Sequence, residues 1–466
     1  MTSPNIAPEQ SGTLTDQLFT LLSSEVKQGL RPVGSRLMSI RKAAERFSVS
    51  KNTIIEVYDR LVAAGLAVAR PGSGFVVCLP QDMQRNERPR HVAEAVDIAT
   101  LLSAQLDENF TIRVGDGRPP ASWAEQSEIK RHLGASGIAH IMGTDAYGSA
   151  LGFPPLRQEI SKRLASQHVN ASPEQILMTF GANHALDLIV RAFLSPGDVV
   201  LVDEPGYYPL FAKLKLAQIR MVGIRRNADG PDVSNFIAKA ASERPRFFFT
   251  QSIGHNPTGS SISLPVAHAL LNAAAQHNIT IVEDDPFSDL ASNVPSRLVT
   301  LDQLNRVMSI GTFSKTLSAS LRSGYIVGSA EWINALTELK MLTSVNSSGH
   351  VERLIHRLLM EGHYARHLKR LSHRIETAAD RAMKQLEMLG YHVFSDNGGG
   401  YYLYLQLPSH IDDIELAKRG AKDGIFIAPG SVFCVNKDNP VRRGIRLNVA
   451  HTDNEEFYRF LARHLS

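Results

Sequence analysis

From about residue 111 to the C-terminus, apolar β-like runs such as VVLVD, RFFFT, ITIVED and YIVG alternate with stretches of helical spacing. That alternation is the pattern of an α/β domain built on a parallel sheet, and it restricts most of the chain to one architecture. The first part of the chain reads differently. At 466 residues, 43% hydrophobic and 21% charged, the chain has length for two to four folding units and apolar material for a large core, which excludes a lone small binding module and a globally disordered chain.

Residues 1–78 read as three short helices and a hairpin. Leu18, Leu21, Leu22 and Val26 keep helical spacing until Gly29, Pro32 and Gly34 end it. Ser39 is an N-cap for IRKAAERF, whose Ile40, Ala43, Ala44 and Phe47 share a face. After the SVS turn, Ser50 caps a third helix with Ile54, Val57, Tyr58, Leu61 and Val62 on its buried side. GLAVARPGSGFVV then gives a strand, a turn at Pro71-Gly72-Ser73-Gly74 and a second strand.

Helix, turn, helix and glycine-tipped hairpin in that order is the plan of a winged helix-turn-helix. The run from Gly29 to Val77 resembles the GntR-type DNA-binding domain along its whole length, through SxR, VSxNT, LxxxGL and RPGSGxxV. Met38 departs from the proline usual in that family before the serine. In such a domain the second helix of the motif enters the major groove with its N-terminal residues nearest the base edges, here Ser50, Lys51, Asn52 and Thr53. Arg41, at the start of the preceding helix, reaches a phosphate or a guanine. The wing around Arg70, Gly72, Ser73 and Gly74 approaches the DNA closely because glycine has no side chain. Charge agrees with an anionic partner at this end: residues 1–78 carry nine Lys/Arg against six Asp/Glu, out of a net charge of +4 for the chain.

Residues 79–110, with QDMQRNERPRH and then AEAVDIATLLSAQL, contain no strand pattern and are expected to form a linker. The expected domains are thus 1–78, the linker 79–110, and 111–466. Cys78 and Cys434 stand far apart with no CxxC and no Cys/His cluster, so neither a disulfide framework nor a metal site is expected. The N-terminal sequence lacks the basic start and apolar run of a signal peptide, and no stretch offers ~20 uninterrupted apolar residues, so the expected location is the cytoplasm, away from membranes.

TFSKTLSASLRSGYIVG carries the sharpest chemistry. Lys315 stands beside Thr312 and Ser314, with Arg322 seven residues on, which brings an amine, two hydroxyls and a guanidinium together. Pyridoxal 5'-phosphate needs that set: its aldehyde condenses with an amine, and its phosphate takes hydroxyl donors and a bidentate cation. Three further segments fit. In FGANHALDLI, Gly181, Ala182 and Asn183 open a helix whose free N–H groups and dipole favour a phosphate. Asn256 in SIGHNPTG can donate to the cofactor's phenolate oxygen, and a carboxylate in ITIVEDDPFSDL can hold a protonated pyridine nitrogen.

With these motifs in this order, residues 111–466 resemble fold-type I aminotransferases. The resemblance implies Lys315 as the Schiff-base lysine, Asp284 as the pyridine partner in place of Asp285, Asn256 at the cofactor hydroxyl, and Arg322 at the phosphate with Thr312, Ser314, Gly181, Ala182 and Asn183. It implies Tyr207 in DEPGYYPL as the ring-stacking aromatic, with Tyr208 as the alternative. It also implies Arg446 in GIRLNVA as the residue for an α-carboxylate, with Arg443 as its competitor. Tyr147, five residues before Gly152, is implied to reach the phosphate of a neighbouring subunit in a homodimer; a half-buried core tyrosine is the alternative. Position 287 is phenylalanine where many members place a tyrosine close after the ring aspartate.

A GntR-type winged helix joined to an aminotransferase-like domain resembles the MocR subfamily of bacterial transcription regulators. The resemblance implies a homodimeric regulator that binds double-stranded operator DNA and responds when an amino-compound effector displaces Lys315 from the cofactor, with the large domain used as a sensor. The alternative is a working aminotransferase whose DNA binding is secondary. A third reading is a repressor whose large domain only dimerises.

Overall fold

In the computed structural model the chain divides into two compact units, residues 1–89 and 90–466. The structure describes residues 13–27, 31, 34–70, 74–78, 89–106, 110–134, 147–290, 297–396 and 399–465. The wing positions Gly72 and Ser73, and the helix-ending Gly29 and Pro32, lie outside them.

The first unit contains α1 (Leu14–Lys27), α2 (Ile40–Phe47), α3 (Lys51–Ala63) and the hairpin strands β1 (Ala67–Arg70) and β2 (Gly74–Val77). Ser39 caps α2 by accepting from the Lys42 N–H, and α2 ends where Ser48 turns left-handed, at φ 53°. Ser50 caps α3 by accepting from the Thr53 N–H at 3.1 Å. The hairpin is antiparallel, with Ala67 opposite Val77 and Arg70 opposite Gly74. Gly74 has φ +78°, a conformation that favours glycine. Leu18, Leu22, Val26, Ala43, Ile54, Val57, Tyr58 and Leu61 form one buried core. Tyr58 closes it by donating its hydroxyl to the Met38 carbonyl at 2.9 Å. Leu21 and Val62, expected on the buried faces, are 40% and 37% exposed. Each is adjacent in sequence to a buried leucine, and one residue turns a helix by about 100°, so both fall at the stripe's edge.

In the second unit, the segment expected as a linker carries α4 (Arg90–Leu106), which packs along the helix Tyr208–Leu216, with Glu94 3.4 Å from Lys215 Nζ. The main sheet has eight strands in the order β3-β10-β9-β8-β7-β4-β5-β6. These are β3 (Ile176–Thr179), β4 (Val199–Glu204), β5 (Arg220–Asn227), β6 (Gly230–Pro231), β7 (Phe247–Thr250), β8 (Thr280–Asp284), β9 (Val307–Thr312) and β10 (Gly324–Val327). β4, β5, β7, β8 and β9 are parallel, as the alternation predicts; β10 and β6 run antiparallel to their neighbours, so the sheet is mixed.

Every residue of β7 and β9 is buried because both faces are covered. Leu201, Phe248 and Ile281 pack on one face with Leu270 and Ala274, while Val200, Val202, Phe249 and Val282 pack on the other with Leu186 and Ile189. A smaller sheet, β11 (Tyr402–Gln406), β13 (Gly444–Asn448) and β12 (Ala428–Pro429), is antiparallel throughout. Among the described residues, no helix is long and apolar enough to cross a membrane.

Ile54 is fully buried at the centre of the first unit's core. Ile54→Ala should destabilise that unit by about 2 to 5 kcal/mol through lost burial and an unfilled cavity. Calorimetry of the full chain should then resolve an early transition for the first unit, with the main transition of the larger unit unmoved.

Candidate functional site

Strands β3, β4, β7, β8 and β9 point the same way, so their carboxyl ends share one rim, where open α/β sheets place their ligand sites. A cavity of about 320 Å³ opens there. Lys315, Asp284, Asn256, Tyr207, Ala182, Asn183, Thr312, Ser314, Arg322 and Arg446 all line it, although they lie up to 264 positions apart in the chain.

Asp284 ends β8 and is 7% exposed. One oxygen accepts from Gln251 Nε2 at 2.9 Å, while Oδ1 is buried with no hydrogen-bond partner. Burial pushes the carboxyl up to about 6, against the opposing hydrogen bond from Gln251 and the positive charge of Lys315. The neighbouring acids face the other way. Glu283 accepts from the N–H groups of Leu298 and Val299, at 2.8 and 3.1 Å, and Asp285 pairs with buried Arg297 at 2.5 Å. Alternation along a strand therefore leaves only the middle acid of the three to the cavity.

The antiparallel turn of β10 brings the cation to Lys315. Gly324, at its start, pairs with both Thr312 of β9 and Thr179 of β3, so Arg322 falls between the loops that follow those strands. Arg322 has φ 46° and donates to the Phe180 carbonyl at 3.1 Å. Gly181, at φ +90°, starts the helix Ala182–Phe193 with no side-chain cap. A Cβ on Gly181 would sit 3.5 Å from Ser314 Oγ and 3.6 Å from an Arg322 nitrogen. Ser314 Oγ and Asn183 Oδ1 are buried and unpartnered. Uncapped helix N–H groups, a free hydroxyl and a guanidinium thus converge on one point, which suits a phosphate. Lys315 is half-buried, and its Nζ donates to the Gly117 carbonyl.

Arg446, 1% exposed, enters from β13 of the smaller sheet. It donates to Asn256 Oδ1 at 3.0 Å and to the Gly115 carbonyl at 2.7 Å, leaving Nε buried and unpartnered. The rings of Tyr402 and Phe433 lie 5.0 and 5.2 Å from its guanidinium. Arg443 is exposed and does not border the cavity. Tyr207 and Tyr208 both border it; Tyr208 packs edge-on against Phe433, and burial followed by the charge of Asp284 pushes the Tyr207 hydroxyl well above its usual range. Phe287 is fully buried against Tyr401 and Tyr402, outside the lining. Tyr147 also lies outside it and is 78% exposed, which removes the half-buried core alternative.

Four lining residues carry no motif: Gly117, Arg118, Gln251 and Tyr402. Gln251 joins Asp284 to the Asn256 N–H, which donates to its Oε1 at 2.7 Å. Tyr402 donates to the Gly117 carbonyl at 2.9 Å, and Arg118 follows that glycine. Gly117, Arg118 and Tyr402 stand away from the motifs, and Gln251, although it directly precedes SIGHNPTG, shows its role only through tertiary contacts.

In the first unit, Arg41, Ser50, Lys51, Asn52, Arg70 and Gly74 are exposed and Thr53 is half-buried. Arg41 pairs with Glu45 one helical turn on, at 3.2 Å with both side chains largely in solvent, a contact worth little in water. Ser50 and Thr53 share a hydroxyl contact of 2.8 Å, so the helix start uses both in its cap.

Residues 111–463 match the family described as aminotransferase class I and II, and residues 14–77 match the bacterial regulatory proteins of the gntR family. The HTH-type transcriptional regulator YdfD of Bacillus subtilis is 27% identical over 440 residues, covering 91% of each chain. NorG of Staphylococcus aureus, also an HTH-type transcriptional regulator, is 27% identical over 90% of this chain and 96% of its own. Among solved structures, the kynurenine aminotransferase of Pyrococcus horikoshii superposes with a TM-score of 0.71 at 25% identity, over 82% of this chain and 95% of that one. The multiple substrate aminotransferase of Thermococcus profundus gives 0.70 at 23%, over 82% and 96%. Aminotransferases of this family use pyridoxal phosphate, and the free Asp284 oxygen, the Ser314 hydroxyl and the side-chain-free Gly181 fit that group. The chain belongs to the aminotransferase class I and II family and bears a GntR-type DNA-binding domain ahead of it, the combination that defines the MocR subfamily of transcription regulators.

Proposed function

We propose that this regulator works in the cytoplasm as a homodimer whose DNA binding responds to an amino-compound effector taken up at the cofactor cavity. The observation that carries the reading is the meeting of a lysine amine, a buried carboxylate with one unpartnered oxygen and a buried arginine with an unused donor in one cavity, in a chain that also carries a GntR-type DNA-binding domain. Residues 1–78 read the operator, 111–466 hold cofactor and effector, and 79–110 join them.

When bound, pyridoxal phosphate supplies an aldehyde that condenses with an amine and a ring that withdraws electrons from it. Lys315 offers the resident amine. Asp284 holds the pyridine nitrogen through its free oxygen, and Gln251 orients Asp284 and Asn256 together. Arg322, Ser314, Thr312 and the uncapped helix at Gly181, Ala182 and Asn183 take the phosphate. Tyr207 covers a ring face. Arg446 turns its unpartnered Nε to an effector carboxylate. Tyr147 stands exposed for the phosphate of a second copy. The complete lysine, aspartate and arginine set also favours a working aminotransferase, while Phe287, sealed in the core without a hydroxyl, favours sensing. An amine that alters operator affinity without release of a keto acid supports the regulator; stoichiometric keto-acid release without a change in DNA binding supports the enzyme.

Three outcomes test the parts. Lys315→Ala should lose the visible absorbance of the lysine-bound cofactor and its trapping by borohydride; trapping at one specific other lysine would refute the assignment. Asp284→Ala should leave thermal stability near that of the parent and weaken cofactor retention. Asp285→Ala should do the reverse, destabilising the fold by about 3 to 5 kcal/mol because Arg297 is left buried without its partner. A larger loss of cofactor from Asp285→Ala would reassign the pyridine partner.

For the DNA face, Arg41→Ala and Lys51→Ala should each weaken operator binding, and each lost phosphate contact should lower the slope of log affinity against log salt by about one unit. Binding isotherms at several salt concentrations give both quantities. Parental affinity and slope in both variants would remove α2 and α3 from the interface.

A further inference from the structure

Two of the cavity's polar groups come from a loop whose own support lies behind the lining. Residues 251–260 are all buried, with Gln251 at one end of the loop and Asn256 near its middle. Arg226 of β5 holds this loop from the interior. Its neighbour Arg225 is exposed, whereas the alternation of the strand turns Arg226 inward, where it is 1% exposed.

Every nitrogen of the Arg226 guanidinium has a partner. Nε donates to Ser260 Oγ and Nη2 to the Gln251 carbonyl, both at 2.9 Å, so the two ends of the loop are joined through one group. Nη1 donates to Asp203 Oδ2 at 2.9 Å, and Asp203 stands in β4, just ahead of the segment that carries Tyr207. The same Asp203 oxygen accepts from Thr250 Oγ1 at 2.7 Å and from the Gln251 N–H at 3.3 Å. Arg226 and Asp203 therefore hold the main chain of Gln251 by its carbonyl and its N–H, and a planar fork fixes direction as well as place.

Holding that main chain determines what the side chain does. Gln251 Nε2 donates to Asp284 Oδ2 at 2.9 Å, and its Oε1 accepts from the Asn256 N–H at 2.7 Å. Asp284 is thereby turned with Oδ1 left buried and unpartnered. A buried ion pair adds little net stability, because each ion gives up its water, so the contribution of Arg226 and Asp203 lies in direction. Lys315 supplies the charge that opposes burial at Asp284.

We infer that Arg226 is a positioning residue for the cofactor's pyridine nitrogen: through Gln251 it aims Asp284 Oδ1 at the ring, by the shape of its fork and not by its charge. The inference rests on the assignment of Asp284 as the pyridine partner. Lysine keeps the charge but cannot grip Asp203, Ser260 and the Gln251 carbonyl in one plane.

The test uses the full-length protein with pyridoxal phosphate and its 1-deaza analogue, in which carbon replaces the pyridine nitrogen. Equilibrium dialysis gives a dissociation constant for each, and contacts common to both, such as that of Asn256, cancel in their ratio. The parent should prefer pyridoxal phosphate by at least about tenfold, as expected for one charge-assisted hydrogen bond. Gln251→Leu and Arg226→Lys should each reduce this preference at least about fivefold, and the double variant should reduce it no further, because both act through one amide. Full preference in Arg226→Lys, or reductions that multiply in the double variant, would overturn the inference and leave Arg226 a brace for its loop. If Arg226→Lys does not fold, Asp203→Asn, which keeps the shape of the partner, is compared with Gln251→Leu under the same two outcomes. A preference that survives in Asp284→Ala would refute the pyridine assignment and the inference with it. A preference lost in Asp284→Ala but kept in both Gln251→Leu and Arg226→Lys would refute the inference alone.

Discussion

Three consecutive buried acids occupy the end of β8 and the position after it, and the chemistry of the large unit depends on how their charges are met. Ionised carboxylates without partners are costly in an apolar interior. Glu283 is met by two backbone N–H groups at the start of the helix Leu298–Asp302, and Asp285 by Arg297. Asp284 has one neutral amide donor and one oxygen with none. The fold thus satisfies the flanking acids and leaves the middle one short of a cation, which under the proposed function a pyridinium N–H would supply. The elevated carboxyl of Asp284 has the same origin, since burial dominates and only a partner with positive charge reverses it.

That deficit is useful only because the sheet collects other groups on the same rim. Five parallel strands deliver Gly181, Tyr207, Gln251, Asp284 and Lys315 from their carboxyl ends or the loops after them, and the antiparallel β10 delivers Arg322 from its start. Arg446 arrives by a different route, from the middle of a strand in the smaller sheet, paired on both sides with Tyr404 and Ala428. An arginine inside a strand with both edges bonded has little freedom, and its hydrogen bond to Asn256 ties the smaller sheet to the loop after β7.

What was legible in the sequence follows from which interactions are local. The caps at Ser39 and Ser50 lie within three residues of the groups they satisfy, so they could be read directly. The burial of VVLVD, RFFFT and ITIVED follows from composition. Arg446 over Arg443 rests on the GIRLNVA resemblance, and the strand pairing accounts for Arg446 bordering the cavity while Arg443 does not. The reversal of β10 was not legible, because YIVG is equally apolar in either direction. Gln251 was missed for a related reason: it acts on Asp284, which tertiary contacts bring to it across 33 positions. The helix Arg90–Leu106 was hidden by its mild amphipathicity, since its packing on Tyr208–Leu216 is decided by a surface far away in sequence.

The two units use the same residue types under opposite electrostatic conditions. Arg41 and Lys51 are exposed in the first unit, and Arg41 shares solvent with Glu45. Charges in that setting are screened within about 8 Å at physiological ionic strength, and their attraction to a polyanion varies steeply with salt. Arg446 is 1% exposed, and Arg118 is clamped to a carboxylate that is itself buried. Screening hardly reaches such groups, and their fixed geometry removes much of the entropy cost of meeting a carboxylate. Ionic strength therefore acts chiefly on the exposed charges of the GntR-type unit and little on the buried guanidinium of Arg446. Under the proposed function the two recognition events are thereby separated physically, because the charges offered to the operator are not those offered to the ligand.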